Sequence, residues 1–142
     1  MLSPYYYFED GVFSREGEEI FLGQWQLIGF RSEVLEDQSY FCREVGGKSV
    51  VVQNFSGMLR AFHNVCSHRF GRIRQPGNGC GPLRCPYHGW TYNIEGIPVG
   101  IPFPDKFKDC SAEDRLGLRL VAWDLEQCGE LIFVRQRKGG RI

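Results

Sequence analysis

The stretch 65–93 reads VCSHRFGRIRQPGNGCGPLRCPYHGWTYN, and it interrupts the strand pattern of the chain around it. Five glycines and three prolines fall within it, and this density predicts irregular loops rather than a regular sheet. One loop holds Cys66 and His68, and the next holds Cys85 and His88. Each loop therefore offers one thiol and one imidazole, and we expect the four side chains to bind a metal group.

The distribution of the four donors between the loops favours one kind of metal group. Structural zinc sites usually take their cysteines as one close pair and their histidines as another. Here each loop carries a mixed pair, which suits a binuclear cluster because facing loops can place both thiolates on one iron and both imidazoles on the other. Glycines beside the ligands would let the backbone approach the bridging sulfides. A zinc site remains the alternative.

The residues around the donors resemble a known family. The segments 61–69 (AFHNVCSHR) and 85–92 (CPYHGWTY) look like the Rieske domain of the large (alpha) subunit of ring-hydroxylating oxygenases, which are Rieske non-heme iron enzymes. The resemblance runs from an N-terminal helix to the last strand and covers nearly the whole chain. It implies a Rieske-type 2Fe-2S cluster as cofactor, with four ligands: Cys66, His68, Cys85 and His88.

The resemblance also implies an architecture. The family is all-β, and its Rieske (ISP-like) fold consists of three small antiparallel sheets with a cluster-binding subdomain of two loops at one tip. A short N-terminal helix is expected to precede the first strand. We therefore divide the chain into an N-terminal extension (1–24), the Rieske 2Fe-2S domain (25–135) and a tail or linker (136–142).

Positions beside the ligands distinguish oxygenase domains from respiratory Rieske proteins. The respiratory proteins, which resemble this chain in ligand spacing, add a cysteine to each loop and join the two by a disulfide; the equivalent positions here are Gly71 and Tyr87. They also place a serine, which hydrogen-bonds a sulfide, where this chain has Trp90. With fewer donors to the reduced cluster, we predict a reduction potential toward the lower end of the Rieske range, about −150 mV.

Short runs rich in β-branched and aromatic residues predict antiparallel strands on both sides of the loops. Gly46–Gly47 and Ser56–Gly57 are expected to form tight hairpin turns, because they can supply positive φ angles. The predicted strands are Trp25–Arg31, Tyr40–Val45, Ser49–Asn54, Leu59–Asn64, Gly117–Trp123 and Glu130–Arg135.

Two short helices are predicted outside the sheet. Ser14 is expected to cap a helix that runs from Arg15 to near Gly23, and Ser111 to cap a single helical turn. The proline-punctuated stretch 97–107 is expected to be an extended connection.

Composition argues against several classes of function. Seventeen basic and seventeen acidic residues give a formal net charge of zero, so no general attraction to nucleic acid or to an anionic membrane is expected. No stretch approaches the roughly 20 apolar residues of a membrane span, and the chain does not begin with a secretion signal. We therefore expect a cytoplasmic protein whose six cysteines serve for metal binding and packing rather than disulfides.

The remaining histidine and cysteines are interpreted as structural. His63 falls on a strand before the first loop and is kept out of the site, and Cys80 is not needed where four ligands suffice. Trp90 and Tyr92 are expected to cover the cluster and exclude water, or to serve as ordinary core aromatics. Three further cysteines are interpreted as packing residues: Cys42, Cys110 and Cys128.

A basic rim flanks the loops of this otherwise neutral chain. It consists of Arg60, Arg69, Arg72, Arg74 and Arg84. Such arginines are often simply solvated, but local charge can also steer an acidic electron donor toward a redox centre. Both interpretations stay open.

One-electron transfer is the function that these observations predict. In the family, electrons come from a reductase or ferredoxin and leave to a mononuclear iron in the catalytic domain of a neighbouring subunit of a trimer. That iron needs two histidines and a carboxylate, and only His63 remains outside the cluster, so this chain has no complete catalytic site. The alternatives are a stand-alone Rieske ferredoxin, against which the long N-terminal extension counts, and a zinc-stabilised binding module.

The substrate is not encoded in this stretch of sequence. The family resemblance implies oxygenase chemistry of the kind used in aromatic hydrocarbon catabolism. Because the family's substrate pocket belongs to the catalytic domain, aromatic acids, hydrocarbons and quaternary amines all remain open.

Overall fold

The structure is a computed structural model, and it describes residues 3–102 and 111–136. The chain begins with a 3₁₀-helix over Pro4–Tyr7, helix α1 over Asp10–Glu16 and a π-helix over Gly17–Leu22. Helix α2 covers Ala112–Gly117. The described strands are β1 Gln26–Phe30, β2 Ser39–Val45, β3 Lys48–Phe55, β4 Met58–His63, β5 Gly77–Cys80, β6 Thr91–Tyr92, β7 Pro98–Gly100, β8 Ala122–Cys128 and β9 Leu131–Gln136.

Seven of the described strands form one antiparallel sheet in the order β1-β9-β8-β4-β3-β2-β5, and β6 pairs with β7 in a second, two-stranded sheet. The predicted all-β fold is confirmed, although these strands form one long and one short sheet rather than three small ones. Both predicted hairpin turns are present: φ is 54° and 74° at Gly46 and Gly47, and 52° and 96° at Ser56 and Gly57.

The centre of the long sheet, at strand β3, is buried on both of its faces. Val50 and Val52 of β3 belong to one apolar core, and Val51 between them belongs to a second. Fully burying such a valine is worth about 1.5–3 kcal/mol relative to leaving it exposed. The second core consists of Cys42, Val51, Phe62, Cys66, Ile73, Leu83, Cys85, Trp90, Tyr92 and Leu120. Two of the predicted ligands are therefore part of the packing that attaches the loops to the sheet.

The N-terminal helix begins earlier than the sequence analysis predicts. Helix α1 starts at Asp10, so Ser14 lies inside the helix and does not cap it. Packing accounts for the difference, since the earlier start brings Val12 into the helix as its buried side chain. The predicted end is close to the observed one, because the π-helix stops at Leu22 and Gly23 follows as its C-cap.

Two strand predictions are wrong. The loop stretch contains β5, in which Gly79 lies opposite Tyr40 of β2. A Cβ atom at position 79 would come within 2.5 Å of the Tyr40 hydroxyl oxygen, so the glycine permits this pairing instead of preventing it. Strand β8 begins at Ala122 rather than at Gly117, because α2 extends to Gly117 and is followed by the buried Leu120.

The cap of α2 is confirmed, since the Ser111 hydroxyl accepts a hydrogen bond from the Asp114 amide at 3.1 Å. The extended connection is present in part as β7, while its residues 103–107, Cys110 and the tail after Gln136 lie outside the described residues. Within the described part of the chain, none of the helices is long and apolar enough to cross a lipid bilayer.

Candidate metal centre

The first loop is closed by its own backbone. The Cys66 amide donates to the Gly71 carbonyl at 2.8 Å, and the Phe70 amide donates to the Cys66 carbonyl at 2.9 Å. An isolated antiparallel bridge between Val65 and Arg72 closes the base of the loop. Phe70 has a φ of 56°, a left-handed conformation that few residues other than glycine adopt.

The second loop repeats this scheme. The Cys85 amide donates to the Trp90 carbonyl at 2.8 Å, and the Gly89 amide donates to the Cys85 carbonyl at 3.0 Å. A bridge between Arg84 and Thr91 closes the base. The left-handed position is again four residues after the cysteine, at Gly89 with a φ of 71°. The two loops are thus two copies of one backbone motif.

The two cysteines lie on the inner side of the loops. Cys66 and Cys85 are each only 2 % exposed. Burial raises the pKa of the Cys85 thiol, and the adjacent Cys66 thiol raises it further, while the amides of Tyr87 and His88 donate to its sulfur and oppose the shift. Amides that donate to cysteine sulfur are a recurring feature of iron-sulfur sites. A cation beside these thiols would favour their ionisation.

The two histidines lie on the outer side. The ring centroids of His68 and His88 are 4.8 Å apart, with the ring planes at 80°. The Trp90 indole stacks on His68 at 4.7 Å and 7°, which fixes the orientation of that imidazole. Burial lowers the pKa of His68, and the neighbouring His88 and Arg69 lower it further. This favours the neutral imidazole, the form that binds metals.

Tyr92 joins the two loops on the inner side. Its hydroxyl lies 3.0 Å from the Cys66 sulfur and accepts a hydrogen bond from the Ser67 amide at 3.2 Å. Burial raises the pKa of Tyr92, so the phenol stays protonated and can donate to a Cys66 thiolate. From the sequence, this tyrosine is expected either to cover the cluster or to serve as an ordinary core aromatic, and a hydrogen bond to a ligand is not predicted. The extra donor comes from the other loop and has no local signature in the sequence.

Asn64 attaches the first loop to the sheet, a role that the sequence analysis missed. Its side chain is fully buried and donates to the Cys42 sulfur at 3.0 Å, the Ser49 hydroxyl at 3.1 Å and the Arg74 carbonyl at 2.7 Å. It also accepts from the Arg74 amide at 2.8 Å. The packing role predicted for Cys42 agrees with this buried cluster.

The four predicted ligands line one small cavity of about 190 Å³, together with Arg69, Gly71 and Tyr87. Among the described residues, no three His, Cys, Asp or Glu side chains are placed to hold a single metal ion. The donors instead form a thiol pair inside and an imidazole pair outside. This pairing by donor type fits a cluster with one thiolate-bound and one imidazole-bound iron.

The other histidine and cysteines lie elsewhere. His63 ends β4 and is not among the residues that line the cavity. Cys80 ends β5, is exposed, and directs its sulfur to the Asp37 carbonyl at 3.6 Å. Cys128 is exposed at the end of β8, so the packing role predicted for it is wrong.

The five arginines of the basic rim divide into two groups. In the first group, the arginine is engaged by a neighbouring group or lines a different cleft. Arg74 lies over the Tyr40 ring at 4.0 Å and donates to the Gly81 carbonyl at 2.9 Å. Arg72 pairs with Glu44 at 3.5 Å. Arg60 lines a different cleft, on the side of β4 and β8.

Arg69 and Arg84 form the second group. Both are exposed and line a cleft of about 1020 Å³ with the two histidines. Neither has an acidic partner among residues 3–102 and 111–136. Arg74 lines the same cleft, but its guanidinium is engaged by the Tyr40 ring and the Gly81 carbonyl. Among the described arginines of the basic rim, Arg69 and Arg84 are therefore the two that present an unengaged charge beside the histidines.

Comparison with known sequences identifies monooxygenases that are similar to this chain. The chain is 37% identical over 92 residues to a choline monooxygenase of Beta vulgaris, an alignment that covers 64% of this chain and 21% of that protein. It is also 37% identical over 93 residues to a glycine betaine monooxygenase oxygenase subunit of Chromohalobacter salexigens, with the same two coverages. The chain thus spans about a fifth of the length of these relatives.

Solved structures have the same fold. The quaternary ammonium Rieske monooxygenase CntA with L-carnitine superimposes with a TM-score of 0.82 at 27% identity, covering 97% of this chain and 39% of that one. Naphthalene 1,2-dioxygenase gives 0.80 at 26% identity, covering 95% and 31%. These superpositions therefore take in nearly the whole of this chain.

The family described as Rieske [2Fe-2S] domain matches residues 24–118. This range contains both loops, the thiol pair, the imidazole pair and Tyr92. The chain belongs to the Rieske [2Fe-2S] domain family, and its cofactor is a Rieske-type 2Fe-2S cluster.

Proposed function

We propose that this chain is the electron-transfer domain of a Rieske oxygenase that acts on a quaternary ammonium compound. It accepts single electrons from a reductase or ferredoxin and passes them to a mononuclear iron in a catalytic domain of a multimeric oxygenase. The cluster, when bound, supplies the one-electron redox couple. Residues 25–135 form the unit that holds it, with 1–24 and 136–142 as flanking segments.

The placement of the donors carries the proposal. We assign Cys66 and Cys85 to the inner iron and His68 and His88 to the outer one. His88 is exposed and His68 is half-buried, whereas both cysteines are buried. An electron can therefore be exchanged with a partner protein on the histidine side, while the cysteine side is insulated by the second core.

The residues of this chain would tune and protect the site. Trp90 holds the His68 ring and excludes water from one side of it. The Tyr92 hydroxyl lies 3.0 Å from the Cys66 sulfur and would donate to a thiolate there, which stabilises the more negative, reduced state of an iron-sulfur group. Respiratory Rieske proteins have a serine donor at the position of Trp90, and in this chain Tyr92 provides a donor to the site instead. We therefore expect the reduction potential to lie above the lower end of the Rieske range, which is about −150 mV.

The relatives support both the oxygenase role and the substrate class. Two are monooxygenases of choline and glycine betaine, and one structural neighbour binds L-carnitine. They favour an oxygenase domain over a stand-alone ferredoxin or a zinc-stabilised module. They also favour quaternary ammonium compounds over aromatic hydrocarbons, which the sequence analysis associates with the family.

Spectroscopy of the purified protein tests the cluster assignment. Iron and acid-labile sulfide should be present in equal amounts, and the chemically reduced protein should give the anisotropic electron paramagnetic resonance signal of a Rieske centre. A zinc protein would be colourless and silent. Protein that contains zinc and no labile sulfide would overturn the proposal.

The donor surface is tested by charge reversal. We propose that Arg69 and Arg84 guide an acidic reductase or ferredoxin to the histidine side, so Arg69→Glu and Arg84→Glu should each slow reduction by the donor at low salt by about tenfold. Arg60→Glu is the matched control because Arg60 lines another cleft. Equal rates for all three variants, or rates independent of salt, would remove this docking surface.

The substrate class is tested on the oxygenase in which this domain works. Product formation should be seen with choline, glycine betaine or carnitine and not with naphthalene. Turnover of naphthalene alone would overturn the substrate assignment but not the electron-transfer role.

A further inference from the structure

Tyr87 and Gly71 make a contact between the two loops on the outer side of the cavity. A Cβ atom at position 71 would lie 2.8 and 2.9 Å from the Cδ2 and Cε2 atoms of Tyr87. The tyrosine ring therefore occupies the space where a side chain of residue 71 would stand. Because Gly71 belongs to the first loop and Tyr87 to the second, this contact runs between the loops.

The position of the contact gives it a role at the site. Both residues line the small cavity with the four ligands. The Gly71 carbonyl accepts the hydrogen bond from the Cys66 amide that closes the first loop, and the Tyr87 amide donates to the Cys85 sulfur. A displacement of either residue would consequently move a cysteine.

The exposure of Tyr87 is otherwise unexplained. The side chain is 68 % exposed, and an aromatic ring so exposed contributes little to the core. The Cδ2–Cε2 edge of the ring lies against Gly71, and the rest of the side chain is largely exposed. The ring therefore lies at the rim of the cavity. On the inner side, the Tyr92 hydroxyl already ties the second loop's strand to Cys66 at 3.0 Å. The cavity is thus held by one tyrosine on each side.

We propose that Tyr87 and Gly71 form a non-covalent clasp that holds the two loops together and restricts access of solvent to the cluster. The ring of Tyr87, and not its hydroxyl, provides the contact, and glycine at position 71 provides the space. Tyr87 is therefore a positioning residue. The inference rests on the presence of the cluster and is independent of which proteins supply and accept the electron.

The experiment measures how fast the oxidised protein loses its cluster to an iron chelator, followed by bleaching of the visible absorbance. Tyr87→Ala should lose the cluster about tenfold faster than the unaltered protein, the usual size of an effect from a residue that supports a metal ligand. Tyr87→Phe should keep the original rate, because it retains the ring. Gly71→Ala should behave like Tyr87→Ala, since the added methyl group displaces the ring.

Phe8→Ala is the matched control, because Phe8 is also an exposed aromatic residue and lies in the N-terminal segment. It should leave the rate unchanged. The electron paramagnetic resonance line shape should broaden in Tyr87→Ala and not in Tyr87→Phe if the loops are less well held. Circular dichroism of the sheet should be the same in all variants.

Two results would overturn the clasp. Cluster loss from Tyr87→Ala at the original rate would show that the contact restricts nothing. Equally fast loss from Tyr87→Phe and Tyr87→Ala would assign the effect to the hydroxyl and not to the ring on Gly71. Neither result would affect the electron-transfer role, which is tested by the spectrum and by reduction kinetics.

Discussion

The two cluster loops share a backbone and differ in their side chains. Both are closed by a hydrogen bond from the cysteine amide to a carbonyl five residues later, and both turn through a left-handed residue four positions after the cysteine. The histidine, however, stands two residues after Cys66 and three after Cys85. The additional residue before His88 is where Tyr87 is placed.

The difference shows how one motif can serve two purposes. The first loop is attached to the sheet through Asn64. The second loop supplies the aromatic residues that reach back across the site: Tyr87 to Gly71, Trp90 to His68 and Tyr92 to Cys66. The first loop is therefore fixed to the sheet, and the second loop provides the side chains that cover the site.

The largest effect is expected from removing a ligand from either loop. His68→Ala and His88→Ala should each abolish the Rieske electron paramagnetic resonance signal, because the outer iron needs both imidazoles. Cys80→Ser is the control and should retain the full signal. Loss of the signal in Cys80→Ser would contradict the ligand assignment, and a surviving signal in either histidine variant would break the equivalence of the loops.

The anchoring of the first loop predicts the next largest effect. Asn64→Ala should lower the free energy of unfolding by about 3 kcal/mol, because the change leaves buried groups of Ser49 and Arg74 without their partner. Chemical denaturation followed by circular dichroism measures it. Asn78 of β5 is exposed and serves as the comparison. Asn78→Ala should lower the free energy of unfolding clearly less than Asn64→Ala.

Gly89 occupies the left-handed position of the second loop, so Gly89→Ala should lower the free energy of unfolding by about 2 kcal/mol. A Cβ atom there would lie 2.9 Å from the Arg84 Nη2 atom and 3.0 Å from the Pro102 Cγ atom. Gly47→Ala separates strain from crowding, because Gly47 also has a positive φ but nothing lies within 4 Å of its Cβ position. The difference between the two midpoints in denaturant isolates the crowding, and equal midpoints would show that crowding is absent.

Tyr92→Phe tests the contact between the Tyr92 hydroxyl of the second loop and the Cys66 sulfur of the first loop. Loss of the hydroxyl should lower the reduction potential by some tens of millivolts. This is the change expected from one hydrogen bond worth about 1 kcal/mol when one electron is transferred. Protein-film voltammetry measures the potential, and Tyr6→Phe serves as the control because it removes an exposed hydroxyl in the N-terminal segment. An unchanged potential in Tyr92→Phe would mean that the hydroxyl does not stabilise the reduced state.

The smallest effect is expected at the left-handed position of the first loop. Phe70→Gly should leave the free energy of unfolding unchanged or raise it by about 0.5 kcal/mol, because relief of the strained φ offsets the greater flexibility of the unfolded chain. Phe70 is 73 % exposed, so little packing is lost. A marked destabilisation in thermal unfolding would show that the ring supports the loop.

Much of the fold was predictable because its causes are local. The hairpins follow from glycines that accept positive φ at Gly47 and Gly57, and the cap of α2 follows from Ser111. The start of α1 and the position of β8 were predicted wrongly, since burial of Val12 and Leu120 outweighs the local capping and strand signals. Strand β5 was missed because a run rich in glycine does not by itself indicate a strand. This run pairs with β2 because Gly79 leaves space for the side chain of Tyr40.

By itself, the sequence determined the kind of site: the loops, their thiol and imidazole donors and the turn residues beside them follow from spacing and residue type. Only the tertiary structure decided how the loops face each other. It sorted the donors into a buried thiol pair and an outer imidazole pair, and it separated Arg69 and Arg84 from the arginines engaged elsewhere. It also brought Tyr87 onto Gly71 and the Tyr92 hydroxyl onto Cys66. Contacts between segments distant in sequence depend on packing against a common sheet, and no local pattern of residues encodes that packing.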